Sequence, residues 1–280
     1  MTLAGIVLAA RGGPVFPFGE RIAVLDVVGV IEDDEEFLEE LREFRADRTI
    51  RGYVININSP GGAVAPSQSI YQELRRVREE DSVPIVASIG SIGASGGYYI
   101  ALAADSIVAL PGSITGSIGV IMELADVSEL LDRVGVRMQT IKSADHKDVG
   151  SPFRPLGAGD RAILDSMVLD VYGQFVDEVV SARKLDREQV LQVADGRILS
   201  GRQALSQRLV DRLGNREDAV RMAGRMAGLG DDPRVVRPPE PRPTLFDVFF
   251  GRAAGSALAR LTAPLQPAAV APRVRFMTPW

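Results

Sequence analysis

The feature that most restricts the fold of this chain is a junction between two kinds of local pattern. Pro84-Ile85-Val86-Ala87-Ser88-Ile89-Gly90 is an apolar run of strand length, and Tyr98-Tyr99-Ile100-Ala101-Leu102-Ala103-Ala104 reads as a helix. Between them lies Gly93-Ala94-Ser95-Gly96-Gly97, which puts Ser95 on a strand-to-helix turn hemmed by glycine. A serine there stands near a helix N-terminus, whose unpaired N–H groups and dipole favour a developing oxyanion. The flanking glycines let backbone and ligand approach with no Cβ in the way.

The same alternation runs along the rest of the chain. Arg21 to Ile31 is β-branched and nearly free of charge, a buried strand. Asp33 to Ala46 reads as a helix with acids in its first turn and Phe37, Leu38, Leu41 and Phe44 on one face. Ile50 to Asn58 is a second strand, and Ser67 to Glu80 a second helix with Ile70, Tyr71, Leu74 and Val77 inward. Strand following helix in this way predicts an α/β fold with a largely parallel sheet. Beyond the serine turn come short apolar runs at 106–110 and 118–122, and the pattern then predicts a helix at 127–134, a strand over Arg137 to Lys142, and a long helix from Asp160 to Ala182. That helix carries Ile163, Met167, Val171, Phe175 and Val179 in steps of four, and helical pieces follow at 186–193, 200–208 and 217–228.

Three segments result: an N-terminal stretch 1–20, a core 21–230, and an arm 231–280 that opens with Pro233, Pro238, Pro239, Pro241 and Pro243. Within the arm, Thr244 and Asp247 have capping-box spacing ahead of a stripe formed by Phe246, Phe249, Phe250, Ala253, Ala257, Leu258 and Leu261. Such a helix docks on protein or lies at a membrane interface. The apolar residues between Met1 and Ala10 are too few to span a bilayer.

With 46% hydrophobic and 25% charged residues and a net charge of −5, the chain reads as globular and not as a nucleic-acid binder. It has no cysteine, which excludes a thiolate nucleophile, and His146 is the sole histidine, which argues against a catalytic metal. No cofactor is called for.

Acyl transfer needs a nucleophile, a base and oxyanion donors. Ser95 supplies the first. Lys147, in Ala144-Asp145-His146-Lys147-Asp148, is a candidate base provided that burial lowers its amine from about 10.4 toward 7, a differential stabilisation of about 4 kcal/mol. A solvated lysine between two aspartates is the competing reading, Lys142 is a second lysine nearby, and His146 leaves a Ser-His-Asp triad open. Asn58-Ser59-Pro60-Gly61-Gly62, placed as a loop at the carboxyl end of the second strand, can present backbone donors. It lacks the Gly-Lys-Ser/Thr ending of a nucleotide-binding loop.

Taken together, Asn58 to Gly62, Ser91-Ile92-Gly93-Ala94-Ser95-Gly96-Gly97-Tyr98-Tyr99, Thr115-Gly116-Ser117-Ile118-Gly119-Val120 and Lys142 to Pro152 resemble the signal peptide peptidase A family of Ser-Lys proteases. Asp195-Gly196-Arg197-Ile198, Gly201-Arg202-Gln203-Ala204 and Leu209 to Gly214 continue the likeness, which covers about 21–230. The resemblance implies Ser95 as nucleophile, Lys147 as general base in preference to Lys142, the N–H groups of Gly62 and Gly96 as the oxyanion hole, and Ser117 as the hydroxyl that orients the lysine. It implies a crotonase- and Clp-protease-like spiral of β-β-α units with a C-terminal helical region. It further implies a ring- or dome-shaped homo-oligomer whose subunits share each substrate groove, association with a membrane, and cleavage of remnant signal peptides or other unfolded apolar peptides. A non-catalytic scaffold of the same fold and a crotonase-type acyl-CoA enzyme are the competing functions.

Overall fold

The computed structural model describes residues 19–239 and 274–277. The elements run β1 (Arg21–Ile31), α1 (Glu35–Ala46), β2 (Ile50–Ala63), α2 (Val64–Glu80), β3 (Ile85–Ala94), α3 (Gly96–Ala101), β4 (Ser106–Ala109), β5 (Ile114–Gly116), β6 (Ile121–Met122) and α4 (Ser128–Arg133). They continue with α5 (Ala158–Arg183), α6 (Arg187–Leu191), β7 (Ile198–Ser200), α7 (Gly201–Ser206), β8 (Arg212–Leu213), α8 (Arg216–Met226), β9 (Arg234–Val236) and β10 (Val274–Met277). The expected α/β class with a mainly parallel sheet is what forms: β1 pairs with β2, β2 with β3, and β3 with β4, all parallel.

The pleat explains why both faces of this sheet are covered. Side chains alternate, so Ala23, Leu25, Tyr53, Ile55, Ile57, Ala87 and Ile89 enter one cluster while Ile22, Val24, Val54, Val86 and Val108 enter another. The first face packs against α2, α3 and α5; Tyr71, Tyr99 and Phe175 meet there edge to face, with centroids 4.9 and 5.0 Å apart. The second face packs against Ala219, Val220 and Ala223 of α8, whose start is fixed by reciprocal Asn215–Asp218 capping bonds. Each fully buried Ile, Leu or Phe contributes about 1.5–3 kcal/mol, so these two clusters carry the fold.

Two expectations are corrected, and a third is refined. The second strand does not stop at Asn58 but runs through Ser59-Pro60-Gly61-Gly62 to Ala63, because β1 continues beside it, with Val30 opposite Gly61 and Ile31 opposite Gly62. Residues 137–142 form no strand: none of the described residues pairs with them, and Val136, Met138 and Ile141 are exposed. A strand without a partner leaves its N–H and C=O groups to water and has no ladder to hold it. In α5 the stripe is only half used, since Phe175 and Val179 are buried whereas Ile163 and Met167 are exposed.

The arm begins by closing on the core, where β9 pairs in parallel with Arg21–Ala23 of β1. The helix expected over 244–261 lies outside the described residues. Among the described residues no helix is long and apolar enough to cross a membrane.

Candidate active site

β3 delivers Ser95 to the start of α3, and the turn between them is tight. Ser95 has φ 54° and ψ −117°, a backbone region that a residue with a Cβ occupies at a cost of about 1–3 kcal/mol. Two hydrogen bonds hold it there: Ser95 N donates to Gly116 O at 2.9 Å, and Tyr99 N donates to Ser95 O at 2.8 Å. The Ser95 N–H is thereby spent and cannot serve an oxyanion. Below it, Tyr98 is fully buried and its hydroxyl donates to Leu209 O at 2.8 Å, pinning α3 to the core.

The strain aims a hydroxyl with no work to do in the resting fold. Ser95 is fully buried and its Oγ has no hydrogen-bond partner, the only such buried side-chain atom among the described residues. An unsatisfied buried hydroxyl costs about 1–3 kcal/mol and requires an explanation. A strand-to-helix turn with a strained serine is the geometry by which nucleophiles are presented at the top of α/β sheets.

Beside Ser95 the two glycines expected to supply oxyanion donors come together. A Cβ on Gly96 would lie 3.3 Å from Gly62 N and 2.6 Å from Ser67 Oγ, and one on Gly62 would lie 2.1 Å from Ile31 O. Neither position tolerates a side chain, so the backbone of β2 passes directly against the nucleophile turn. Ser67, which sequence reasoning did not single out, donates to Ala63 O at 2.8 Å and braces this contact from α2.

Ser117 follows the residue whose carbonyl holds the Ser95 amide, because β5 runs beside β3 with Ala94 opposite Gly116. Ser117 is itself at φ 51° and nearly buried, and its N–H donates to Arg197 O at 2.8 Å. A cavity of about 390 Å³ opens beside Ser117, lined mostly by apolar side chains including Val120, Ile121, Val168, Leu169 and Tyr172.

Lys147 is not brought to Ser95 within the chain. It lies in an exposed turn, and its amine makes no hydrogen bond or ion pair among the described residues. The desolvated setting that a neutral amine requires is thus not supplied by this chain's own packing. Lys142 is engaged elsewhere, donating to Asp145 O at 2.7 Å and Asp148 Oδ1 at 2.8 Å. His146 does have an aspartate, with Nδ1 3.1 Å from Asp160 Oδ1, but Ser95 Oγ is not the third member.

The backbone around the nucleophile also holds a slot for an extended chain. β10 lies antiparallel to β2, with Phe276 opposite Gly62, and antiparallel to β6, with Arg275 opposite Ile121. One strand therefore fits between the β2 glycines and β6, stitched on both edges.

The sequence profile of Peptidase family S49 matches residues 78–230, which contains the Ser95 turn, Ser117 and the Lys147 turn. The chain is 42% identical over 215 residues to "Putative protease slr0021" of Synechocystis, covering 76% of this chain and 76% of that one. It is 36% identical over 214 residues to "Putative signal peptide peptidase SppA" of Enterococcus faecium, covering 72% of this chain and 62% of that protein's length. With "Protease 4" of Salmonella typhi it shares 32% over 265 residues, 91% of this chain but 42% of the relative. Those matches, together with a strained buried serine beside a two-glycine backbone contact, place the chain in peptidase family S49, the signal peptide peptidase A family of serine proteases.

Proposed function

We propose that the chain is a serine endopeptidase that works through a Ser95–Lys147 dyad assembled between neighbouring copies. The observation that carries this reading is the pairing of two incomplete halves: a buried Ser95 Oγ without a partner and an exposed Lys147 without one. A second copy that laid its Lys147 turn over the Ser95 turn would satisfy the hydroxyl and desolvate the amine together. Apolar side chains left exposed between residues 130 and 153, among them Leu130, Val136, Met138, Ile141 and Phe153, supply surface for such a contact.

In this reading the neutral Lys147 amine takes the Ser95 proton while Oγ attacks a peptide carbonyl. The oxyanion is held by the N–H groups of Gly62 and Gly96. The protonated amine then gives its proton to the leaving nitrogen, and the C–N bond breaks to leave an acyl-enzyme. Water, deprotonated by the same amine, attacks the ester and releases the second product with Ser95 restored. Ser117 orients the amine.

The substrate is an extended, unfolded peptide taken as an added strand between β2 and β6, in the place where residues 274–277 lie. The apolar cavity beside Ser117 suits small or aliphatic side chains, which are abundant in remnant signal peptides. The likeness to the Enterococcus relative, a putative signal peptide peptidase, supports that substrate class. A ring- or dome-shaped homo-oligomer with peripheral membrane contact completes the proposal.

The test is cleavage of casein and of a signal-like peptide by wild type, Ser95→Ala and Lys147→Ala, each checked for assembly by light scattering. Both variants are expected to be inert alone and to regain part of the activity when mixed and allowed to exchange subunits. Turnover persisting in either variant sinks the dyad; no recovery on mixing sinks its division between copies. Inert wild type of correct assembly would favour the scaffold function.

A further inference from the structure

The backbone around Lys147 is fastened on both sides while Lys147 itself is left out. On one side, His146 Nδ1 meets Asp160 Oδ1 at 3.1 Å. On the other, Asp148 receives Lys142 Nζ at 2.8 Å and a two-pronged contact from Arg154, Nε to Oδ2 at 2.9 Å and Nη2 to Oδ1 at 2.8 Å. Arg154 Nη2 also reaches the Asp148 carbonyl at 3.3 Å and Asp160 Oδ2 at 2.6 Å. Asp160 stands in the first turn of α5 and is 6% exposed.

One guanidinium thus joins the residue after Lys147 to the rigid helix that also anchors the residue before it. We propose that Arg154 is a positioning residue for Lys147, holding the turn that carries the amine in the orientation in which a neighbouring site can use it. This rests on the reading of Lys147 as general base. Arg154 makes no hydrogen bond to Ser95; it acts through Asp148 and Asp160. Its planar fork suits two carboxylates at once, which a lysine ammonium cannot match. Arg154, then Lys142, hold the Asp148 carboxyl far below its usual range, and His146, then Arg154, lower that of Asp160. Both acids therefore stay charged at neutral pH and the clamp stays closed.

A misplaced general base slows the chemical step and leaves substrate binding nearly untouched. Arg154→Ala is expected to lower kcat on a signal-like peptide by about 10–100-fold, with KM within about threefold of wild type. Labelling of Ser95 by a fluorophosphonate is expected to slow in step. Guanidinium at millimolar concentration is expected to restore part of kcat, and methylammonium at equal ionic strength is not. Wild-type kcat in an assembled Arg154→Ala protein overturns the proposal, as does a loss confined to KM. If Arg154→Ala fails to assemble, the near-isosteric Asp148→Asn decides: reduced kcat supports the clamp and unchanged kcat overturns it. Lys147→Ala runs alongside. Should it retain turnover, the dyad itself fails; should it be inert while Arg154→Ala turns over normally, only the clamp fails.

Discussion

Ser95 and Lys147 sit in two turns that are held by different forces. The Ser95 turn is inside the core, between a buried strand and a buried helix, and strained backbone there is over-determined by β5, Tyr98 and the glycines of β2. The Lys147 turn is outside, and it keeps its shape through ion pairs and short turn bonds to Ala144, His146 and Asp148. Apolar burial fixes position to a fraction of an ångström because packed atoms have nowhere to go. The ion pairs of the second turn, whose Lys142 and Arg154 cations stay half-exposed over largely buried carboxylates, fix it less firmly than packed side chains do. In the proposed dyad the difference means that the serine half is finished when the chain folds, whereas the lysine half is an exposed turn that a second copy would cover.

Substitutions at the two turns should therefore separate stability from activity in opposite ways. Ser95→Ala is expected to lower turnover by about 10⁴-fold or more, since nucleophile and base act as a unit. Lys147→Ala is expected to cost a similar factor while thermal unfolding stays within about 1 °C, because the exposed amine makes no hydrogen bond or ion pair among the described residues of its own chain. A clear drop in Tm for that variant would mean that the turn is part of the core after all. Gly96→Ala breaks the comparison from the other side: its Cβ meets Ser67 Oγ at 2.6 Å, so both Tm and turnover should fall, turnover by about 10²-fold. Unchanged activity in Gly96→Ala would remove the oxyanion role from this position.

Smaller effects sharpen the contrast. Deleting residues 274–280 vacates the strand position between β2 and β6 and is expected to lower KM for added peptide by a few fold at unchanged kcat. A rise in KM would show that β10 shapes the slot instead of filling it. The least effect expected is that of mild acid. Both Asp148 and Asp160 are depressed below the ordinary value of 3.8, so what their ion pairs contribute is present above that value and is lost only as pH falls through the lower, folded values. Hydrogen exchange over residues 144–151 should accordingly stay protected, after correction for intrinsic rates, between about pH 8 and 4.5. Loosening already near pH 6 would overturn the reading that the Arg154 ion pairs hold the turn.

Much of the nucleophile half was legible in the sequence because its determinants are local. β-branched runs, a glycine-flanked serine and the Ile70, Tyr71, Leu74, Val77 stripe each follow from spacing within a few residues, and the strands and α2 form where that spacing places them. The continuation of β2 through Pro60 was not legible, since it depends on β1 lying alongside. The stripe of α5 was legible as a pattern, but how much of it is buried was not. Its period is helical from end to end, but only the half that reaches Tyr99 finds a neighbour to pack on. Arg154 and Asp160 left no signal, being six residues apart in a stretch with no periodicity and joined only in space.

The sequence by itself determined the α/β class, the serine turn and the set of residues from which a dyad can be made, because strand and helix periods and glycine's missing Cβ act over short range. Tertiary structure alone decided that Ser95 adopts a strained backbone with an orphaned Oγ, that Gly62 and Gly96 meet, and that Lys147 faces outward between two anchored neighbours. Those outcomes depend on which strand lies beside which and on what remains uncovered when packing is complete. No pattern along a single segment carries that information.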